Sequence, residues 1–212
     1  MSKTLDMKIN EGRQYRDFNS IALEAKEDSS EMSVEGYATI FNQPYELFSM
    51  DGYRVLEQID DKAFVNCDMS DVIMQYNHEG RVFARNSNGT LETNTDDKGL
   101  HIRADLSGTE LGRQLFTEIK GGYTDKMSFG FTVEEDDFTE KENEDGTVDV
   151  LRTVLRINKL YDVSAVSIPA NNATSITARS FSEGVIAELK AERLKKEKRR
   201  RQLQKIRILS EV

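Results

Sequence analysis

The sequence predicts a mainly β protein with attached helices (α+β), its strands closing or nearly closing into a barrel, with a basic helix at the C-terminus. Three observations carry that expectation. From Glu31 onward, short runs of β-branched and aromatic residues recur between glycine-containing turns, the punctuation of a strand-rich domain. One segment inside that region, SGTELGRQLFTEIKGG, has helical rather than alternating spacing. After Arg179 the composition changes to Lys, Arg and Glu with sparse apolar residues. The chain therefore divides into a polar N-terminal extension (1–30), a main domain (31–180) and a basic helix or tail (181–212).

The elements follow in order. Residues 1 to about 30 show only short alternations. In MSVEGYATIF, Val34, Tyr37, Ala38, Ile40 and Phe41 make a β-rich run, and Gly36 within it predicts a bulge or close backbone approach. The loop NQPYELFSMDGY carries Pro44 and an Asp51–Gly52 turn, after which RVLEQIDDKAF resumes an apolar pattern. In DVIMQYNHEG, a period of two places Val72, Met74, Tyr76 and His78 on one strand face, and Glu79–Gly80 turns the chain. A meander with turns at Asn88–Gly89 and Lys98–Gly99 runs to Leu106. The helix that follows has Ser107 or Thr109 as its cap, Leu111, Leu115 and Ile119 as its stripe, and Gly121–Gly122 as its stop. In TDKMSFGF, Met127, Phe129, Phe131 and Val133 alternate with Ser128, Gly130 and Thr132. The acidic run from Glu134 to Asp145 predicts an exposed hairpin tip, and TVDVLRTVLRI a return strand leading into KLYDVSAVSIPANNAT. In the last helix Val185, Leu189, Leu194, Leu203, Ile206 and Leu209 form a broken apolar stripe.

Composition narrows the function classes. At 212 residues, with 37% hydrophobic and 32% charged residues, the chain can bury a real core. It has no run of about 18 apolar residues, and MSKTLDMKIN lacks the apolar core of a signal peptide, so no membrane association is expected. Cys67 is the single cysteine, which excludes an internal disulfide and any cysteine-based zinc site. The net charge of −9 divides into −14 before residue 182 and +5 after it. An acidic body repels phosphate, so nucleic acid is not an expected partner of the main domain, and the basic tail lacks interleaved aromatics.

Chemistry has few candidates. With two histidines, a base that titrates near neutral pH is quickly enumerated. His101 falls out of phase with Leu100 and Ile102 and reads as an exposed strand residue. His78 sits beside Asn77 at a turn and is either structural or a base. Ser128 faces away from Met127, Phe129 and Phe131, with Gly130 next on its own face clearing space beside the hydroxyl. It is either an inert strand serine or a nucleophile, and a nucleophilic serine needs a base held by an acceptor. Asp162 is the single acidic residue in KLYDVSAVSIPA, either exposed at a strand edge or buried and paired. No GxSxG elbow is present. Cys67 reads as a core residue, and the histidine spacing lacks a helical HExxH, so neither metal nor cofactor is expected.

Several stretches in fixed order resemble the prohead (capsid maturation) proteases of tailed bacteriophages, a lineage related to herpesvirus assemblin. They are GYATIFNQPY, IDDKAF, YNHEGRVFARNSNGTLETNTDDKGLHIRADL, TELGRQLFTEIKGG, MSFGF and YDVSAVSIPANNAT, covering about Val34 to Ala178. The resemblance implies an assemblin-like barrel surrounded by helices and a serine endopeptidase. It places the family's histidine on His78, its nucleophile on Ser128 and its acidic third member on Asp162, where Glu is common and Asp is one methylene shorter. For the oxyanion donors we expect backbone N–H groups of Ala170, Asn171 and Asn172, after Pro169. The implied role is digestion of scaffold and capsid-protein segments inside the new prohead in the host cytoplasm, usually with self-cleavage. Herpesvirus relatives act as dimers, so a homodimer is an expectation too. The alternative is a non-catalytic assembly factor on the same fold.

Overall fold

A computed structural model describes residues 3–5, 12–25, 32–167 and 176–210. About half of the described residues are strand, and those residues hold two α-helices, an α+β protein dominated by β. The strands are β1 (Lys3–Leu5), β2 (Gln14–Ala22), β3 (Glu24–Ala25), β4 (Ser33–Ile40), β5 (Tyr45–Met50), β6 (Tyr53–Ile59), β7 (Ile73–Tyr76), β8 (Glu79–Arg85), β9 (Leu91–Thr95), β10 (Gly99–Asp105), β11 (Lys126–Glu142) and β12 (Val148–Val166). The helices are α1 (Glu110–Lys120) and α2 (Ile176–Ser210).

The described strands pair as two sheets. In the larger, the long antiparallel pair β11–β12 is the spine: β1 and β2 add to β11, while β6 and β7 run parallel to β12, with β5 beside β6 and β8 beside β7. The smaller has the order β3-β4-β10-β9. One apolar core spans both. Val34, Ala38, Leu100 and Ile102 of the smaller sheet meet Met74, Met127, Phe129, Phe131 and Val163 of the larger. Each such large side chain contributes about 1.5–3 kcal/mol by leaving water. α1 closes one side of this core. Thr109 caps it by accepting a hydrogen bond from the Gly112 N–H at 2.9 Å. Leu115, Phe116 and Ile119 are its buried stripe, whereas Leu111, in the first turn, is 38% exposed and lies off it.

The acidic run is strand rather than hairpin tip. β11 continues through it to Glu142, and the turn comes only at Asn143–Gly146. The reason is the facing strand: Arg156 lies 2.8 Å from Glu135, Arg152 donates to Asp136 at 2.7 Å, and Phe138 is buried. Nor does Gly36 mark a bulge. It pairs directly with Ile102, and the register slips two residues later on that strand, at Ala38. In α2, Phe181, Val185, Ile186 and Leu189 pack on Leu47, Val55, Phe138 and Val150 as a second core. The apolar stripe stops there: Leu194 and Leu203 are exposed, and Ile206 and Leu209 lie outside the residues whose side chains are described.

The polar N-terminal stretch turns out to contain β2, antiparallel to the strand that carries Ser128. What pins it is ionic. Arg16 donates to both Glu57 oxygens, Arg152 donates to Glu57 at 2.7 Å and to Gln14 at 2.8 Å, and Tyr45 donates to Glu57 at 2.5 Å. Glu57, Arg16 and Arg152 have almost no exposed surface. Burial alone would raise the Glu57 carboxyl, but the two guanidiniums outweigh it and hold it at about 2. Glu57→Gln is expected to destabilise the fold by about 3–5 kcal/mol, read from denaturant unfolding, because two buried cations lose their counter-charge. The folded-state value lies below the ordinary 4.5, so this contribution is complete above pH 4.5 and fades as pH falls toward 2.

Candidate active site

Register assembles the site. On one face of the spine Ser128 pairs with Ser164 and Gly130 with Asp162, so four residues form a tile with Asp162 diagonal to Ser128. β7 runs parallel to β12 beside it, with Ile73 opposite Asp162 and Tyr76 opposite Ala165. The chain then reverses through Asn77 and His78, both with positive φ (51° and 59°), the pattern of a two-residue type I′ turn. His78 therefore does not extend the Val72–Met74–Tyr76 face as alternation suggests. It hangs from a turn over the tile. Asn and His tolerate the left-handed region better than most residues. Asn77 ties the turn to the end of β12: its N–H donates to the Ala165 carbonyl at 2.9 Å, and its side-chain oxygen accepts from the Ser167 N–H at 3.2 Å.

The three candidates meet in one hydrogen-bonded chain. His78 Nε2 lies 2.5 Å from Ser128 Oγ, and His78 Nδ1 lies 2.5 Å from Asp162 Oδ1. The shorter acid thus reaches the imidazole, and it is buried rather than at an exposed edge. Ser164 Oγ donates to Asp162 Oδ1 at 2.9 Å, and the Arg13 guanidinium bonds Oδ2. Burial works to raise the Asp162 carboxyl, yet the His78 hydrogen bond, with help from Ser164 and Arg13, holds it below the ordinary aspartate value. An ionised Asp162 can only accept, so the proton sits on Nδ1, and Nε2 is left to accept from the serine hydroxyl. This is the geometry that lets a serine lose its proton as it attacks a carbonyl.

A family model described as caudovirus prohead serine protease matches residues 19–188. The chain belongs to that family. Comparison with curated proteins returned no match, and neither did comparison with solved structures. Membership implies a serine protease with a role in phage capsid maturation. Within the matched stretch of this prohead protease lie Ser128, His78 and Asp162, and also His101 and Cys67. His101 stands apart from the tile, half-buried against the ring of Tyr37 at 5.1 Å. Cys67 is half-buried beside the main core, and burial pushes its thiol up to about 11, the state of an inert sulfur. The expected oxyanion residues Ala170, Asn171 and Asn172 lie outside the described residues.

Gly130 does clear space, and the groups around Asp162 fill it. A Cβ there would stand 2.4 Å from Asp162 Oδ2, 2.9 Å from Tyr15 Cε1 and 3.1 Å from Arg13 Nε. The missing side chain makes room for the acid and its supports. Because an atom displaced by about 1 Å can cost about a hundredfold in rate, Gly130→Ala is expected to lose 10- to 100-fold in Ser128 reactivity while remaining folded. Labelling by a fluorophosphonate, alongside circular dichroism, checks this. The sequence reading passed over Arg13, Tyr15 and Ser164. A strand-like alternation in GRQYRDF was the available signal, with Arg13 and Tyr15 on one face and Gln14 and Arg16 on the other.

Proposed function

We propose that this prohead protease is an endopeptidase that cuts scaffold and capsid-protein segments inside the newly assembled shell, and cuts itself as well. Ser128 is the nucleophile, His78 the general base and then general acid, and Asp162 the group that orients the imidazole and stabilises its charged form. The Ser128–His78–Asp162 hydrogen-bonded chain carries the reading. The serine oxygen attacks the peptide carbonyl as its proton passes to His78 Nε2, and the same proton then goes to the leaving amine. Water repeats the sequence on the acyl-enzyme. Backbone N–H groups of Ala170, Asn171 and Asn172 remain the proposed oxyanion donors.

The architecture and assembly follow the same reading. The two sheets share one core, which supports their being parts of an assemblin-like barrel, with 31–180 as the protease domain and 1–30 lending it strands. Residues 181–212 form the basic segment. Residues 194–204 within it are exposed, and the segment is cationic while the rest of the chain is acidic, so it suits a contact with acidic scaffold or capsid surfaces. No described helix is long and apolar enough to cross a membrane. The place of action is the prohead in the host cytoplasm, and a homodimer is the proposed assembly. Mass spectrometry of the chain co-expressed with its neighbouring scaffold and capsid proteins tests this, together with a fluorophosphonate adduct mapped by peptide. Cleavage products and an adduct on Ser128 are expected. Uncut partners and an unlabelled chain would instead favour a non-catalytic assembly factor.

A further inference from the structure

A buried carboxylate in a triad has two oxygens, and catalysis uses one. Oδ1 of Asp162 is engaged by His78 Nδ1 and Ser164 Oγ. Oδ2 lies just as deep, and its partner is the guanidinium of Arg13, one residue before β2. That guanidinium is not a loose surface cation. It lies over two rings, 4.5 Å from the centre of Tyr161 and 5.2 Å from that of Tyr15, so its position is set although the side chain is 35% exposed. The backbone under it is set as well, because Gln14 and Arg16 are locked into the buried Glu57–Arg152 cluster. Tyr15 reaches the same face from its place opposite Gly130, and its ring lies 4.4 Å from the His78 ring.

We propose that Arg13 is a positioning residue of the catalytic centre: it holds the second oxygen of Asp162 so that the first stays on His78, while Tyr15 covers the imidazole. Both residues precede residue 19, where the family match begins. The proposal rests on the protease reading. Without Arg13, Oδ2 is a buried charged oxygen with a lost donor, and the carboxylate gains by rotating toward any other donor. Rotation draws Oδ1 off Nδ1 and frees the imidazole to turn away from Ser128. Gly130 is glycine for the same reason, since a methyl there would collide with Asp162, Tyr15 and Arg13 together.

The test uses the full chain and a biotinylated fluorophosphonate, which the Ser128 oxygen displaces at phosphorus with loss of fluoride while His78 takes the proton. Arg13→Gln is expected to lower the maximal labelling rate about 10- to 100-fold with the inhibitor constant unchanged and the unfolding midpoint near wild type. Arg13→Lys, which retains a charged donor, is expected to recover part of that rate. Wild-type labelling speed in Arg13→Gln overturns the proposal and leaves the protease reading intact. A loss confined to the inhibitor constant also overturns it, because Arg13 would then be a binding residue. A wild-type chain that neither takes the probe on Ser128 nor cuts its partners removes the protease reading, and this proposal with it.

Discussion

Ser128→Ala is expected to stop processing: scaffold co-expressed with the variant should stay uncut, with turnover down by about 10⁴ to 10⁶. The size follows from what is lost. The tile, the turn bearing His78 and the support of Asp162 all remain, but no oxygen is left to form the acyl-enzyme. The fold should hold. Ser128 lies in a strand paired on both sides, and removing its hydroxyl leaves His78 Nε2 short of one partner, a cost of about 1 kcal/mol. Full-length protein with a normal unfolding transition beside intact scaffold is therefore the expected pair of results. Normal processing by the variant would remove Ser128 from the mechanism.

Parts of this site were legible in the chain, and their limits have physical reasons. Alternation in TDKMSFGF correctly separated Ser128 from the Met127–Phe129–Phe131 face, because all three apolar side chains are core. A lone acid in KLYDVSAV leaves exposure at a strand edge and burial with a partner both open, and the structure has Asp162 fully buried. What joined these residues with His78 was resemblance. Spacing alone cannot bring a turn after β7 over a strand pair 50 and 84 residues further on. Period two puts His78 in the strand phase of Tyr76, but β7 ends at Tyr76 and His78 lies in the turn after it. The acidic run reads as an exposed hairpin tip because its charge alone does not show the arginines of the facing strand.

The buried charges were the least legible part of the fold. Glu57 lies in core phase between Val55 and Ile59, and Arg152 between Val150 and Val154, so each is a charged residue where alternation demands an apolar one. Two opposite charges in core phase on different strands are a readable hint of a buried pair. Finding that pair would also have drawn Arg16, and with it β2, into the sheet. Arg13 and Tyr15 could not be placed until that strand was.

Asp162→Asn is expected to be nearly as damaging as loss of the nucleophile, and its supports explain why the amide cannot rescue itself. Arg13 bonds Oδ2 and offers only donors, so the amide oxygen of an Asn must turn toward Arg13. That leaves the NH₂ facing His78 Nδ1, while Ser164 can rotate to accept from the same group. Nδ1 must then accept, the ring proton moves to Nε2, and Nε2 can no longer take the proton of Ser128. The geometry survives with the wrong tautomer, a change worth about 10⁴ in triads of this kind. Fluorophosphonate labelling of Asp162→Asn should fall by that order with the unfolding midpoint little altered, because a neutral amide is easier to bury than a carboxylate. If Arg13 dictates the amide's orientation, adding Arg13→Gln to Asp162→Asn should not deepen the loss and should restore part of the rate, since the freed amide can turn its oxygen to Nδ1. A double variant slower than Asp162→Asn by the full factor of Arg13→Gln would mean that the two side chains act independently, against the contact between them.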